Sequence, residues 1–231
     1  MPFYGYYIDP LYIYLVLPAI LLSVFAQIKV KSTFSKFSQR HCHISGAEAA
    51  RRVLEANGVY GVQITRVSGN LTDHFDPKTN VIRLSDAVYD SCTVAAVGVA
   101  SHEAGHAVQY AKSYAPIKIR AALYPVCNIG SQLSMPLLFI GLLFNFPILM
   151  TVGVIFFGVA ILFQLVTLPV EFNASKRAIT AIRENNILYD DDAVKGARKV
   201  LTAAALTYIA AFLVSLTQFI RLLLLTNRRR R

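Results

Sequence analysis

Two histidines four residues apart, with a glutamate between them, are the residues of this chain best suited to chemistry: His102-Glu103-Ala104-Gly105-His106, an H-E-x-x-H run. On a helix, positions i and i+4 share one face a turn apart, so both imidazoles reach one cation while Glu103 stands beside its open side. A catalytic zinc ion takes three protein ligands and keeps a position for water. The spacing therefore predicts His102 and His106 as ligands of one Zn2+. Glu103 is then the general base: it takes a proton from the zinc-bound water that attacks a carbonyl carbon, and returns it to the leaving amine. The third ligand must come from elsewhere among the thirteen acids. Glu171 is the leading candidate, because it follows an apolar stretch and has small neighbours; the plainer reading pairs it with Lys176 or Arg177 at an interface. Asp73 or Asp76, with His74 nearby, is the competing source. No residue is marked out as the oxyanion stabiliser; His74 and Tyr110 are the candidates. His41-Cys42-His43 has ligand types too close together to close a tetrahedral site unaided.

A site of this kind needs a rigid, dry support. Residues 91–113 predict a helix whose first half, Thr93 to Ala100, is apolar and small; at about ten residues that run is too short to span a membrane and reads as a buried core helix. Ala104 and Gly105 keep the middle of the motif slim, leaving room for a neighbouring helix. Upstream, Ser45-Gly46-Ala47-Glu48 is a capping box opening a short helix that stops near Asn57-Gly58. Val62, Ile64 and Val67 alternate as one strand and Val81, Ile82 and Leu84 as another, with turn chemistry at 76–80, which predicts a small antiparallel sheet. Its edge is a place for an extended peptide. Asp190-Asp191-Asp192 reads as the cap of the last helix and not as a cation site.

The remainder of the chain belongs to a bilayer. Of 231 residues 55% are hydrophobic and 16% charged, and the mean hydropathy is +0.48, which excludes an ordinary soluble domain. Four apolar stretches, at 8–28, 123–144, 148–168 and 201–225, approach the ~20 residues that cross a hydrocarbon core as helix. The first lacks a basic start and a cleavage site and is an uncleaved anchor; Tyr4, Tyr6, Tyr7, Tyr12 and Tyr14 form an aromatic belt at its outer end. The second and third are separated by three residues and form a hairpin, and Pro169 marks the end of the third helix. All 23 Lys and Arg lie between 29 and 120, between 176 and 199, or from 221 onward. The positive-inside rule then puts 29–120 and 171–199 in the cytoplasm and the hairpin turn outside. The tail Arg228–Arg231 conflicts with four full spans; a last segment that dips and returns, one that lies along the interface, or a miscounted span each resolve the conflict. The +10 net charge follows from this topology, so no nucleic-acid partner is implied. Cys42, Cys92 and Cys127 are odd in number and irregularly spaced, which predicts no disulfide framework.

In combination, Ser45-Gly46-Ala47-Glu48-Ala49-Ala50-Arg51, Leu71 to Pro77, His102 to Ala107 and Pro169 to Ser175 resemble the YugP-type neutral zinc metallopeptidases of bacteria, over essentially the whole chain. The resemblance implies a membrane-bound zinc peptidase with His102 and His106 as ligands, Glu103 as catalytic residue and Glu171 as third ligand. Glu171 matches an E-x-x-A segment similar to the E-x-x-A-D of the wider HtpX and CAAX prenyl protease group. This chain carries Ser175 where that group has aspartate, which puts the hydrogen bond from that position to a histidine ligand in question.

The expectation is a mainly α, multi-pass plasma-membrane protein of about four hydrophobic helices with a zincin-like cytoplasmic region. Its parts run 1–28 (anchor), 29–120 (catalytic region), 121–170 (hairpin), 171–199 (third-ligand segment) and 200–231 (last helix and tail). The partners are a lipid bilayer and a protein or peptide substrate. Intramembrane proteolysis of the site-2 type fits poorly: no aspartate occurs between Asp90 and Asp190. A catalytically silent, metal-binding membrane scaffold or chaperone partner is the non-enzymatic alternative.

Overall fold

The computed structural model describes residues 10–229. The tyrosines at 4, 6 and 7 and the side chains of the arginine tail lie outside the described residues. Among the described residues four helices are long and apolar enough to cross a membrane, within Tyr12–Ser38, Ala115–Leu143, Pro147–Glu184 and Asp191–Leu225. The elements in chain order are α1 (Leu17–Ser38, entered through a π-helical turn at Tyr12–Val16), α2 (Gly46–Ala56), β1 (Gln63–Val67), β2 (His74–Asp76), β3 (Val81–Ser85), α3 (Asp86–Tyr89), α4 (Val94–Ala111), α5 (Ala115–Leu143), α6 (Pro147–Glu184) and α7 (Asp191–Arg229). The protein is thus mainly helical, as its composition predicts.

The chain divides into two compact units. One comprises 1–26, 119–166 and 207–231. Within it α5 is followed by α6 after a tight turn: Asn145 turns through a left-handed conformation (φ 54°) and the Phe146 N–H donates to the Gly141 carbonyl at 2.9 Å. Gly153 lets the pair approach, since a Cβ there would stand 2.9 Å from the Ser134 carbonyl oxygen. Tyr124, Val126, Phe139, Ile155 and Leu162 are more than half exposed. In water so much exposed apolar surface would drive association; against lipid it is solvated.

The other unit comprises 27–118 and 167–206. Ser45 caps α2, its hydroxyl accepting the Glu48 N–H at 3.3 Å. Glu48 does not close the capping box from its side chain. It pairs instead with Arg51 and Arg52, one turn ahead. Gly58, at φ 68°, ends the helix by letting the Val59 N–H return to the Leu54 carbonyl. The sheet is mixed, with order β1-β3-β2. The two strands read from the alternation, β1 and β3, run parallel (Gln63 against Val81). The antiparallel partner of β3 is the three-residue β2, with Phe75 opposite Ile82 across the 76–80 turn. A three-residue strand is too short to show a period, and so β2 is invisible to pattern reading. Ala49, Ala50 and Val53 of α2, Ile82 and Leu84 of β3, the apolar half of α4, and Ala178, Ile182, Val194 and Ala197 make one continuous core.

Pro169 does not end a helix: α6 runs unbroken from Pro147 to Glu184 with Pro169 inside it. Proline costs a helix one hydrogen bond, but Thr167, Val170 and Glu171 on either side of it are buried, and that packing holds the helix through it. α7 is equally continuous, which removes the dip-and-return form of the last segment. At its start the Asp190 side chain accepts the Asp192 N–H at 2.9 Å, the capping role predicted for the acidic run.

Candidate metal centre

Thr93 starts α4, its side chain accepting the Ala96 N–H, and the helix then carries His102, Glu103 and His106 on the turns that lie among core residues. Segment 167–184 of α6, in the same unit, places Glu171 and Ser175 one turn apart on one face. What lets the two backbones meet is Gly105. A Cβ on it would lie 2.6 Å from the Ala174 carbonyl oxygen, so no side chain fits there without separating the helices.

At that crossing Glu171, 3% exposed, turns Oε2 toward both imidazoles, 3.2 Å from His102 Nε2 and 3.6 Å from His106 Nε2. All three candidate ligand atoms lie within 4.8 Å of one another. Zinc binds nitrogen and oxygen at about 2.0–2.1 Å, which sets the edges of its tetrahedron at about 3.3 Å; the two separations match such edges. Among the described residues this is the one such cluster of three or more His, Cys, Asp or Glu side chains.

Hydrogen bonds on the outer side of the rings define what faces inward. The Gln109 amide nitrogen donates to the Val170 carbonyl at 2.8 Å and to Asn173 Oδ1 at 3.0 Å. A carbonyl can only accept, so that end of Gln109 is NH2 and its other end is the oxygen. That oxygen lies 3.1 Å from His106 Nδ1, which must therefore be the donor. Arg177 Nε donates to Asn173 Oδ1 at 2.8 Å and holds the far end of the chain. His106 thus turns an unprotonated Nε2 toward the Glu171 carboxylate when its ring is neutral. Lone pairs facing lone pairs at this range repel unless a cation lies between them. Burial alone would push the His106 imidazole down, but the Glu171 hydrogen bond and the charges of Glu103 and Glu171 outweigh it and hold the group above its ordinary value. The donor set therefore fits a zinc ion.

His102 Nδ1 lies 3.1 Å from Ser175 Oγ. The serine that stands in place of an aspartate does contact a histidine of the pair, as a neutral partner in place of a charged one. Glu103 stands clear of the cluster, and its Oε2 accepts the Phe75 N–H of β2 at 3.0 Å. One carboxylate oxygen is thereby fixed by an edge strand. The competing acids are engaged elsewhere. Asp73 accepts from the Ser85 N–H and hydroxyl. Asp76 accepts from Thr79, Arg83 and the Lys78 N–H, in that order of effect, and these hold its carboxyl far below the usual range. His74 Nδ1 contacts the Thr72 carbonyl, and Tyr110 packs its ring against Phe75 at 5.6 Å. His41 bridges to Thr93 and His43 stacks on Tyr189.

Sequence reading missed Gln109, Asn173 and the Phe75 amide. Gln109 did carry a signal, lying three residues beyond His106 on the same helical face; the amide of an unrecognised strand carried none.

Helices suited to a bilayer, together with a buried cluster of two imidazoles and a carboxylate beside an H-E-x-x-H glutamate, define a membrane protein of the zinc-peptidase class. Residues 12–227 match the family described as "Putative neutral zinc metallopeptidase", and the chain belongs to it. It is 46% identical over 218 residues to "Putative membrane protease YugP" of Bacillus subtilis (strain 168), covering 93% of this chain and 96% of that protein. No solved structure matches it.

Proposed function

We propose that this protein is a zinc endopeptidase of the plasma membrane that cleaves polypeptides on the cytoplasmic side or close to the bilayer. His102 Nε2, His106 Nε2 and Glu171 hold the ion and Glu103 is the general base. The observation that carries this reading is the convergence of three electron-pair donors on one point, with the outer nitrogens of both rings hydrogen-bonded. When bound, zinc supplies a Lewis acid and brings the pKa of a water ligand to about 7. Glu103 does the proton work. The Phe75 amide holds Oε2, leaving Oε1 to take a proton from the attacking water and deliver it to the amide nitrogen as the C–N bond breaks. The Gln109 and Ser175 contacts keep the rings in place through that exchange.

The distribution of Lys and Arg supports placing 29–120 and 171–199 in the cytoplasm, with 121–170 as the membrane hairpin between them and 1–28 as the anchor. The test is Glu103→Gln in the full-length protein. Stoichiometric zinc should remain while cleavage of denatured protein falls by at least about a hundredfold, the lower range for a lost general base. Zinc with no cleavage by the wild type would point to a scaffold. Failure to bind zinc would overturn the whole reading.

A further inference from the structure

Cys42 and Cys92 are 50 positions apart in the sequence and directly opposite in the fold. His41 and Thr93 form an antiparallel bridge. On either side of it the Cys42 N–H donates to the Cys92 carbonyl and the Val94 N–H to the Arg40 carbonyl, both at 2.9 Å. That register makes Cys42 and Cys92 a cross-strand pair, with side chains on one face. Opposed residues at such a position have Cα atoms about 5.5 Å apart, inside the range a disulfide bridges, with Cβ atoms toward the wide end of about 4.5–5.5 Å, so closing the link takes a small backbone shift that leaves it readily reducible. Cys42 Sγ contacts the Ile44 carbonyl at 3.3 Å and Cys92 Sγ the Asp90 carbonyl at 3.7 Å, each within its own segment. Cys92 is exposed and Cys42 half-buried. Burial, with a smaller effect from Cys92, pushes the Cys42 thiol up, so the exposed partner is the one to react first.

We propose that Cys42 and Cys92 are a reversible dithiol–disulfide site, oxidised by hydroperoxides. The Cys92 thiolate attacks the O–O bond, forming an S–O bond and releasing an alcohol or water. Cys42 sulfur then attacks the Cys92 sulfenic acid, forming the S–S bond and expelling water. Two electrons pass from the thiols to the peroxide, and a cytoplasmic thiol reverses the step by exchange. The link ties the segment after α1 to the residue preceding the Thr93 cap of α4, the helix that carries His102 and His106. Cys127 takes no part: it lies buried in α5 with its thiol directed to the Val159 carbonyl. This inference does not rest on peptidase activity.

The experiment uses reduced full-length protein in detergent, treated with one equivalent of hydrogen peroxide. The thiol count under denaturing conditions should fall from three to one, and dithiothreitol should restore it. Peptide mapping should join the Cys42 and Cys92 peptides within a single chain. Cys127→Ser should still form the link, while Cys42→Ser and Cys92→Ser should not. Retention of three thiols, over-oxidation of Cys92 without a link, or disulfides only between chains would each overturn the proposal.

Discussion

Replacing Gln109 by leucine tests whether the hydrogen bonds behind the imidazoles, and not the ligands alone, make the metal centre. Gln109 is fully buried, and leucine is close to it in volume, so the change removes polarity and leaves little cavity. Three contacts disappear: those to the Val170 carbonyl, to Asn173 Oδ1 and to His106 Nδ1. The last leaves a buried N–H donor with no acceptor, a loss of about 1–3 kcal/mol. Without metal the ring relieves that loss by adopting its other tautomer, with the proton on Nε2 against Glu171, whereas zinc on Nε2 forces the N–H to stay on Nδ1, so the loss falls mainly on the metal-loaded state. At about 1.4 kcal/mol per decade this corresponds to roughly 10- to 100-fold weaker zinc binding. The assay is a zinc titration of metal-free protein against a competing chromophoric chelator, with metal-free thermal stability measured in parallel. His106→Ala sets the limit for loss of a ligand. If Gln109→Leu binds zinc within twofold of wild type while His106→Ala does not bind, the chain from Arg177 through Asn173 and Gln109 does not orient the ring.

Gly105→Ala should push α4 from α6 through the Ala174 carbonyl, costing about 1–3 kcal/mol by thermal melting, and should also weaken zinc binding, because Glu171 rides on α6. Ser175→Ala should weaken zinc binding about tenfold by removing the partner of His102 Nδ1, whereas Ser175→Asp, which keeps an acceptor and adds charge, should bind at least as tightly as wild type; equal affinity for all three would exclude a role for this contact. Asp76 titrates in the folded protein well below the unfolded carboxylate value of about 4. Its contribution to stability is therefore present above that value and fades as pH falls through the folded pKa. Asp76→Asn should accordingly lower Tm at neutral pH and converge on wild type in acid, and a gap independent of pH would refute the assignment.

The local features were decided by sequence, because their physics is local. A helix brings residues four apart to one face wherever it occurs, so His102 and His106 form a pair whatever the rest of the chain does. The Ser45 cap, the turn at Asn57-Gly58 and the four apolar stretches likewise depend on neighbours within a few residues or on hydropathy alone. Tertiary structure decided whatever joins distant segments. Glu171 is 69 residues from His102; sequence could rank it among thirteen acids, but only the approach allowed at Gly105 brings its carboxylate to the rings. Proline at 169 is a local stop signal, overridden because its neighbours Thr167, Val170 and Glu171 pack into the fold only if the helix continues. The parallel pairing of β1 with β3, the hydrogen bonds of Gln109 and the opposition of Cys42 to Cys92 all follow from long-range register. No periodicity within a segment encodes which residue of another segment will lie across from it.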